Sequence, residues 1–410
     1  MTALDLDFAR RNFPAFMNPD LDGWVHAENA GGSYPCRQVI DRLTDYYTRL
    51  RIQPHHPHPL GQRAGAAMDA GPIALAGLLG VEPGAIVVGP STTQNTYVLS
   101  RALAETLSPG DAIVVTEQDH EANSGCWRRL AKDGIEIREW RVDPVTGCLD
   151  LSDLDDLLDE RVQIVAVPHA SNVIGETNDV ATITERAHAV GAITVVDGVA
   201  HAPHELPDVA ALGSDVHLFS SYKTFGPHQG VMVIREDLLA RLPNQGHFFN
   251  AGIATKRLVP AGPDHAQVAS LAGIAAYVDD LDVHHFPDDP AASPGEAARR
   301  VSRLWRDHET ALLVPLVTYL QGRNDIRVLG PVGSEQRVPT VSIVADRPGA
   351  ELAGELADHE IMCAGGHFYA HRLMTACGID PAHGVLRFSL VHTNAPQDIT
   401  QIIDALHAVL

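Results

Sequence analysis

VQIVAVPHASNVIGETNDVATITERAHAVGAITVVDGVAH, residues 162–201, carries the pattern that decides the fold. Two short apolar runs rich in valine and isoleucine, VQIVAV (162–167) and ITVV (193–196), flank the helix-like segment TITERAHAVGA (182–192). Such runs are too short for buried helices and lack polar alternation, so they suit strands covered on both faces. The rhythm extends both ways. Upstream, AAMDAGPIALAGLLG (66–80) reads as helix, AIVVGP (85–90) as strand, TTQNTYVLSRALAETL (92–107) as helix and DAIVVTE (111–117) as strand. GCWRRLAKDG (125–134) and IEIREWRV (135–142) repeat the pair, and LSDLDDLLDE (151–160) reads as a helix with Ser152 placed to cap it. Downstream, DVHLFSSYK (215–223) and QGVMVIR (229–235) add two strands. Strands separated by short helices imply an α/β chain with a large, doubly wound, mostly parallel sheet.

The pattern changes after residue 278. DDLDVHHFPDDPAASPGEAARR (279–300), dense in Asp and Pro, marks a boundary and leads into the long helix AARRVSRLWRDHETALLVPLVTYLQ (297–321). IRVLGP (326–331), VPTVSIVAD (338–346), GAELAGELADH (349–359), GVLRFSLVH (384–392) and DITQIIDALHAVL (398–410) then suggest a smaller α+β unit. Its strands alternate apolar and polar residues, as in a sheet with one solvated face. The expected organisation is an N-terminal segment (1–30) packing with the small domain, a large domain (31–285) and a small C-terminal α+β domain (286–410). Pro54-His55-His56-Pro57-His58-Pro59 is too rich in proline for a helix and reads as a loop.

The chain has 410 residues, with 52 Asp and Glu against 30 Lys and Arg. Its net charge of −22 repels polyphosphate and argues against a nucleic-acid partner. No apolar run approaches the roughly 20 residues needed to cross a bilayer, and MTALDLDFARRNFPAF (1–16) lacks the pattern of a signal peptide. Five scattered cysteines without a C-x-x-C pair fit a reduced chain, so a cytoplasmic location without membrane contact is expected. No metal site is expected: His55, His56 and His58 resemble a zinc cluster in composition, but proline stiffness and the lack of further ligands argue against one. Lysine occurs only at Lys132, Lys223 and Lys256.

Lys223 stands out among the three. In DVHLFSSYKTFGPHQGVMVI (215–234) a strand runs into it, a Gly-Pro turn follows, and another strand begins. Functional groups of open α/β sheets gather at such strand ends. Partial desolvation there would lower the pKa of the amine and favour Schiff-base chemistry, although a turn lysine is ordinarily a surface residue. Asp197 ends the apolar strand of VVDGVAH (195–201), where a carboxylate needs a metal, a cap or a protonated pyridine nitrogen as partner. GPSTTQNTY (89–97) reads either as a plain helix cap or as a phosphate cradle, with Thr92 and Thr93 offering hydroxyls. His120 in EQDHEANS (117–124) is at another strand end, where an imidazole could stack on a flat ring.

In this order, with SNVIGE (171–176) between His120 and Asp197, these features resemble the class V aminotransferase family of fold-type I pyridoxal-phosphate (PLP) enzymes. Within it they look most like the cysteine-desulfurase-like branch. Matching stretches run from WVHAENAGG (24–32) to VLRFSLVHTN (385–394), nearly the whole chain. The resemblance implies the fold-type I PLP-dependent transferase fold. It also implies that Lys223 binds pyridoxal 5'-phosphate covalently and later moves the α-proton of the substrate. Asp197 would pair with the pyridine nitrogen, and His120 would cover the ring and serve catalysis. Thr92, Thr93 and Ser220 would hold the phosphate, with Tyr222 where relatives use a histidine. Asn172 would lie near the substrate carboxylate and the ring hydroxyl, and Arg387 would clamp that carboxylate. Asn29, His58 and Tyr369 would touch the substrate, an α-amino acid. A homodimer with shared active sites is the implied assembly.

Departures from the family pattern bear on the reaction. Cysteine desulfurases carry R-x-G-x-x-C-A in a loop before the last strands, whereas this chain has AGGHFYA (364–370), with Tyr369 at the cysteine position and Cys363 six residues early. Relatives place glutamine or histidine three residues after the aspartate; here Ala200 stands there, followed by His201. Pro263 replaces a threonine that in relatives reaches the phosphate of the partner subunit. The implied activity is C–S β-lyase chemistry on a cysteine S-conjugate rather than persulfide formation. An aminotransferase, an epimerase, a decarboxylating or oxidative PLP enzyme of a natural-product pathway, and a cofactor-binding regulator are the alternatives.

Overall fold

The computed structural model describes residues 2–331, 333 and 336–410. Its strands, in chain order, are β1 Val25–His26, β2 Ile86–Gly89, β3 Ala112–Thr116, β4 Glu136–Trp140, β5 Val162–Pro168, β6 Ile193–Asp197 and β7 Val216–Ser220. There follow β8 Gly230–Ile234, β9 Arg327–Val328, β10 Thr340–Val344, β11 Ile361–Met362, β12 Ala364–Gly366 and β13 Val385–Ser389. Seven form one sheet in the order β2-β8-β7-β6-β5-β3-β4. β7, β6, β5, β3 and β4 pair in parallel, while β8 runs against both β7 and β2. This is the expected doubly wound, mostly parallel sheet.

The unbroken apolar runs follow from burial on both faces. In β8, Val231 and Val233 enter a core with Leu75, Leu79 and Ile274, while Met232 and Ile234 enter another with Leu99 and Trp127. The carboxyl ends of β2, β3, β5, β6 and β7 fall at Gly89, Thr116, Pro168, Asp197 and Ser220. The first polar residues after the apolar runs therefore gather along one sheet edge, and the site is built there.

A second sheet, β12-β13-β10-β9, is antiparallel. The expected solvated face is not found, since every residue of β13 is buried. Its polar alternation marks a docking face instead. Ser342 Oγ donates to Val173 O at 2.6 Å, Arg387 Nη1 donates to Asn172 O at 2.9 Å, and the Ala30 amide donates to Ser389 Oγ at 2.9 Å. The long helix, Pro294–Gln321, is capped by Ser293 Oγ on the Glu296 amide. Its first half places Val301 and Trp305 in the core of the large sheet, and its second half places Leu312, Leu316 and Leu320 in the core of the small one.

The N-terminal segment touches both units. β1 pairs in parallel with β11, whereas Phe13 packs edge-on against Phe225 and Tyr277. Near residue 151 the cap is Asp150 rather than Ser152: the Asp150 carboxylate accepts the Ser152 amide at 2.8 Å, and the helix covers only Leu151–Asp155. Among the described residues no helix is long and apolar enough to cross a membrane. All five cysteines are free.

Candidate active site

Between β2 and the helix Thr92–Ala104, Ser91 caps the helix: its Oγ accepts the Gln94 amide at 3.1 Å and its carbonyl accepts the Asn95 amide at 3.0 Å. The amides of Thr92 and Thr93 keep no partner among the described residues, as expected at a helix start. The chain can approach this point closely because β8 begins with glycine. A Cβ on Gly230 would lie 2.3 Å from Ser91 C and 2.4 Å from Thr92 N. Thr92 Oγ1 and Ser220 Oγ are hydrogen-bonded at 2.8 Å, and Tyr222, two residues on, borders the same space.

A cavity of about 400 Å³ opens over this cradle. Thr92, Thr93, His120, Asn172, Asp197, Ser220, Tyr222, Lys223 and Tyr369 all line it, so the structure brings together most of the expected site residues. Burial, reinforced by Arg387, lowers the Lys223 amine to about 8, with Asp197 opposing. Its Nζ makes no hydrogen bond among the described residues. Asp197 is 7 % exposed, accepts the Val199 amide at 3.0 Å, and is raised by burial against the opposing effects of that bond and of Lys223. His120 is lowered to about 4 by burial first and by Lys223 and Arg387 next, so the ring is neutral at ordinary pH.

Arg387 and Asn29 do not line the cavity but donate to the backbone of residues that do, Asn172 and Lys223 respectively. Arg387 is buried with no acidic ion-pair partner among the described residues, its Cζ 3.7 Å from the Phe368 ring centroid and its Nε without a hydrogen-bond partner among them. Burial brings it down to about 10. The Asn172 amide donates to Phe368 O at 2.9 Å and leaves Asn172 Oδ1 unpartnered. Asn29 Nδ2 donates to Lys223 O at 3.4 Å, which ties the N-terminal segment to the lysine.

His58 is elsewhere within this chain: its Nδ1 accepts the Gly61 amide at 3.1 Å and caps the helix Pro59–Leu79. His55, with φ of 61°, has its Nε2 3.5 Å from Asp69. No group of described residues has the arrangement of a metal site. Ala200 lines the cavity, while its neighbour His201 stacks on His169 at 3.5 Å rather than replacing a glutamine at the ring hydroxyl. Cys363 packs against the core of the small sheet, its thiol pushed up to about 12 by burial.

Among the lining residues not singled out from the sequence, Asp119 and His228 bear on the chemistry. Asp119, raised well above the usual carboxylate range by burial and by Asp197, accepts from Thr116 Oγ1 at 3.0 Å and from Asn123 Nδ2 at 3.3 Å. Its strand-end position beside His120 was the available signal. His228 stacks face to face on Tyr222, ring centroids 4.5 Å apart and 6° from parallel. It was hidden in a Gly-Pro turn.

The donor set suits a phosphorylated pyridine aldehyde. Among the described residues, free amides and hydroxyls are ready for a phosphate ester, a half-buried amine without a hydrogen-bond partner for the aldehyde, a buried carboxylate for a ring nitrogen, and a guanidinium without an acidic partner for a substrate carboxylate.

The Aminotransferase class-V family model matches residues 25–252. Over its whole length the chain is 31% identical to the aminotransferase-like protein FGM3 of Gibberella zeae, covering 99% of that protein. It is 26% identical to a cysteine desulfurase of Haloferax volcanii, over 99% of this chain and 97% of the relative. Among solved structures, the cysteine desulfurase of Thermococcus onnurineus NA1 superposes with a TM-score of 0.86 at 24% identity, over 100% of this chain and 99% of the other.

Proposed function

The chain belongs to the class V aminotransferases and is a pyridoxal-phosphate enzyme related to cysteine desulfurases; on that premise we propose that it cleaves the C–S bond of a cysteine S-conjugate by β-elimination. The balanced reaction consumes one water and releases a thiol, pyruvate and ammonia. The observation that carries this reading is the cavity wall at Tyr369. Its ring centroid lies 5.1 Å from that of His120, at the position where the cysteine-desulfurase pattern has its nucleophile, and no cysteine lines the cavity among the described residues. With an apparatus for the α-proton but no sulfur acceptor, sulfur would leave with its own substituent.

When bound, pyridoxal phosphate would supply an electron sink for the carbanion at Cα. Asp197 would hold the ring nitrogen, and Thr92, Thr93 and Ser220 the phosphate. Lys223 is the base: an amine lowered to about 8 has a usable neutral fraction near neutral pH and takes the α-proton at Nζ. It then carries the proton that the departing sulfur needs. Arg387 and Asn172 orient the α-carboxylate, Arg387 through the planar fork that suits a carboxylate. His120, neutral and half-buried, keeps water from that side of the site.

The test is a set of cysteine S-conjugates and sulfoxides, with pyruvate followed by a coupled lactate dehydrogenase assay and the products by mass spectrometry. The reading fails if amino acids perturb the cofactor chromophore while no conjugate yields pyruvate. A second reading, transamination, is supported by the 31% identity to an aminotransferase-like protein. It predicts pyridoxamine phosphate and a keto acid that retains its sulfur. A cytoplasmic homodimer is part of the proposal; Phe248 and Phe249, 87% and 68% exposed in the single chain, support association, and light scattering would measure it.

A further inference from the structure

The phosphate cradle is poor in positive charge. Its hydroxyls and free amides are neutral, and the helix start contributes the equivalent of about half a charge against a phosphate ester carrying about −1.5 to −2. No arginine lines the cavity among the described residues, and Lys223, His120 and His228 are the side chains there that can become cationic. Lys223 is committed to the aldehyde. His120 is pressed into its neutral form by burial, Lys223 and Arg387. His228 remains.

The geometry of the β7–β8 turn ties His228 to the cradle. Thr92 Oγ1 bonds Ser220 Oγ at 2.8 Å, Tyr222 follows Ser220 by two residues on the wall of the same cavity, and its ring stacks on the His228 imidazole at 4.5 Å and 6°. The turn is itself pinned. The Ser221 amide donates to Gln229 O at 3.0 Å, the Gln229 amide to Pro227 O at 2.8 Å, and Gln229 Nε2 to Gln267 Oε1 at 3.0 Å. His228 is the residue enclosed by the second of these bonds, on a backbone with little freedom. Its ring is exposed on the side away from Tyr222 and borders both the cavity and a second one lined by Pro263.

We propose that His228, oriented by Tyr222, is a phosphate-binding residue that supplies this site with its cationic partner for the cofactor's phosphate ester. A lysine or arginine would do the same from a long flexible stem. Here a flat ring is held against another flat ring, so little side-chain entropy remains to be lost on binding. The inference rests on the cofactor and not on which bond of the substrate is broken.

The experiment compares two ligands that differ only in the phosphate. The full chain is stripped of cofactor with hydroxylamine, and dissociation constants for pyridoxal phosphate and for pyridoxal are measured from the absorbance of the bound chromophore. His228→Ala and His228→Asn are each expected to weaken pyridoxal phosphate at least tenfold while leaving pyridoxal within twofold, and His228→Arg to return pyridoxal phosphate to within threefold of wild type. Equal losses for both ligands would make His228 a structural residue and overturn the proposal. An unchanged affinity for pyridoxal phosphate in both neutral variants would also overturn it. So would full binding by His228→Asn, which would mean that a neutral hydrogen bond suffices.

Discussion

Gly230→Ala tests whether the cradle depends on how closely β8 approaches the helix start. The added Cβ would stand 2.3 Å from Ser91 C and 2.4 Å from Thr92 N, whereas real Cβ contacts essentially never fall below 3.0 Å. Backbone must therefore separate by at least 3.0 − 2.3 = 0.7 Å, and both contacted atoms are main chain, so no side chain can rotate away. Overpacking of this kind costs about 1–3 kcal/mol of stability. The larger effect falls on the cofactor. A hydrogen bond near 2.9 Å stretched by 0.7 Å passes beyond useful length, and a bond to a charged acceptor contributes about 1.5–3 kcal/mol. Losing one such bond predicts a rise of roughly 10- to 100-fold in the dissociation constant for pyridoxal phosphate. Urea unfolding of the apoprotein gives the first number, and chromophore titration gives the second. Unchanged cofactor affinity in a folded Gly230→Ala protein would refute the argument that the Thr92 and Thr93 amides bind the phosphate.

Lys223→Ala should abolish the yellow chromophore that borohydride fixes covalently, read by mass spectrometry of the peptide containing residue 223. In the apoprotein Lys223→Met should be stabilising at pH 7. The folded value near 8 lies 10.5 − 8 = 2.5 units below the ordinary one, a penalty of about 3 kcal/mol that is full below pH 8. Between about pH 8 and 10.5 the unfolded chain binds more protons, so wild-type stability rises with pH and the advantage of methionine fades. An advantage independent of pH in urea melts would contradict a buried amine. Arg387→Lys should raise KM for amino acids by roughly 30-fold or more through loss of the bidentate fork, with cofactor affinity unaltered. Asp150→Ala should cost about 1 kcal/mol in urea unfolding and Ser152→Ala clearly less, because Asp150 accepts both the amide and the hydroxyl of Ser152.

The large sheet was legible in the sequence because two-sided burial leaves strands such as β5 and β8 without polar interruption, and their ends pointed to Asp197 and Lys223. The small sheet misled for a physical reason: alternation in GVLRFSLVH looks the same whether the polar face meets water or another part of the protein. Here Arg387 and Ser389 meet Asn172 and Ala30. Cap assignment failed by two residues at Asp150, since Asp and Ser are equally good caps and only geometry chooses. His58 was expected at the substrate from the resemblance, while within the chain it caps its own helix. Asp119 and His228 could not be ranked because their importance comes from how the chain folds, Asp119 meeting the sequence-distant Asp197 and His228 turning back to stack on Tyr222.

The helix Pro294–Gln321 has a consequence for cooperativity. Trp305 is sealed in one core and Leu316 in the other, so neither core can melt without stripping a wall from its neighbour. The acidic, proline-rich connection before residue 294 therefore joins units that are not thermodynamically separable. Calorimetry should register one transition rather than two, and a fragment ending before this helix should expose the apolar surface that Val301 and Trp305 cover.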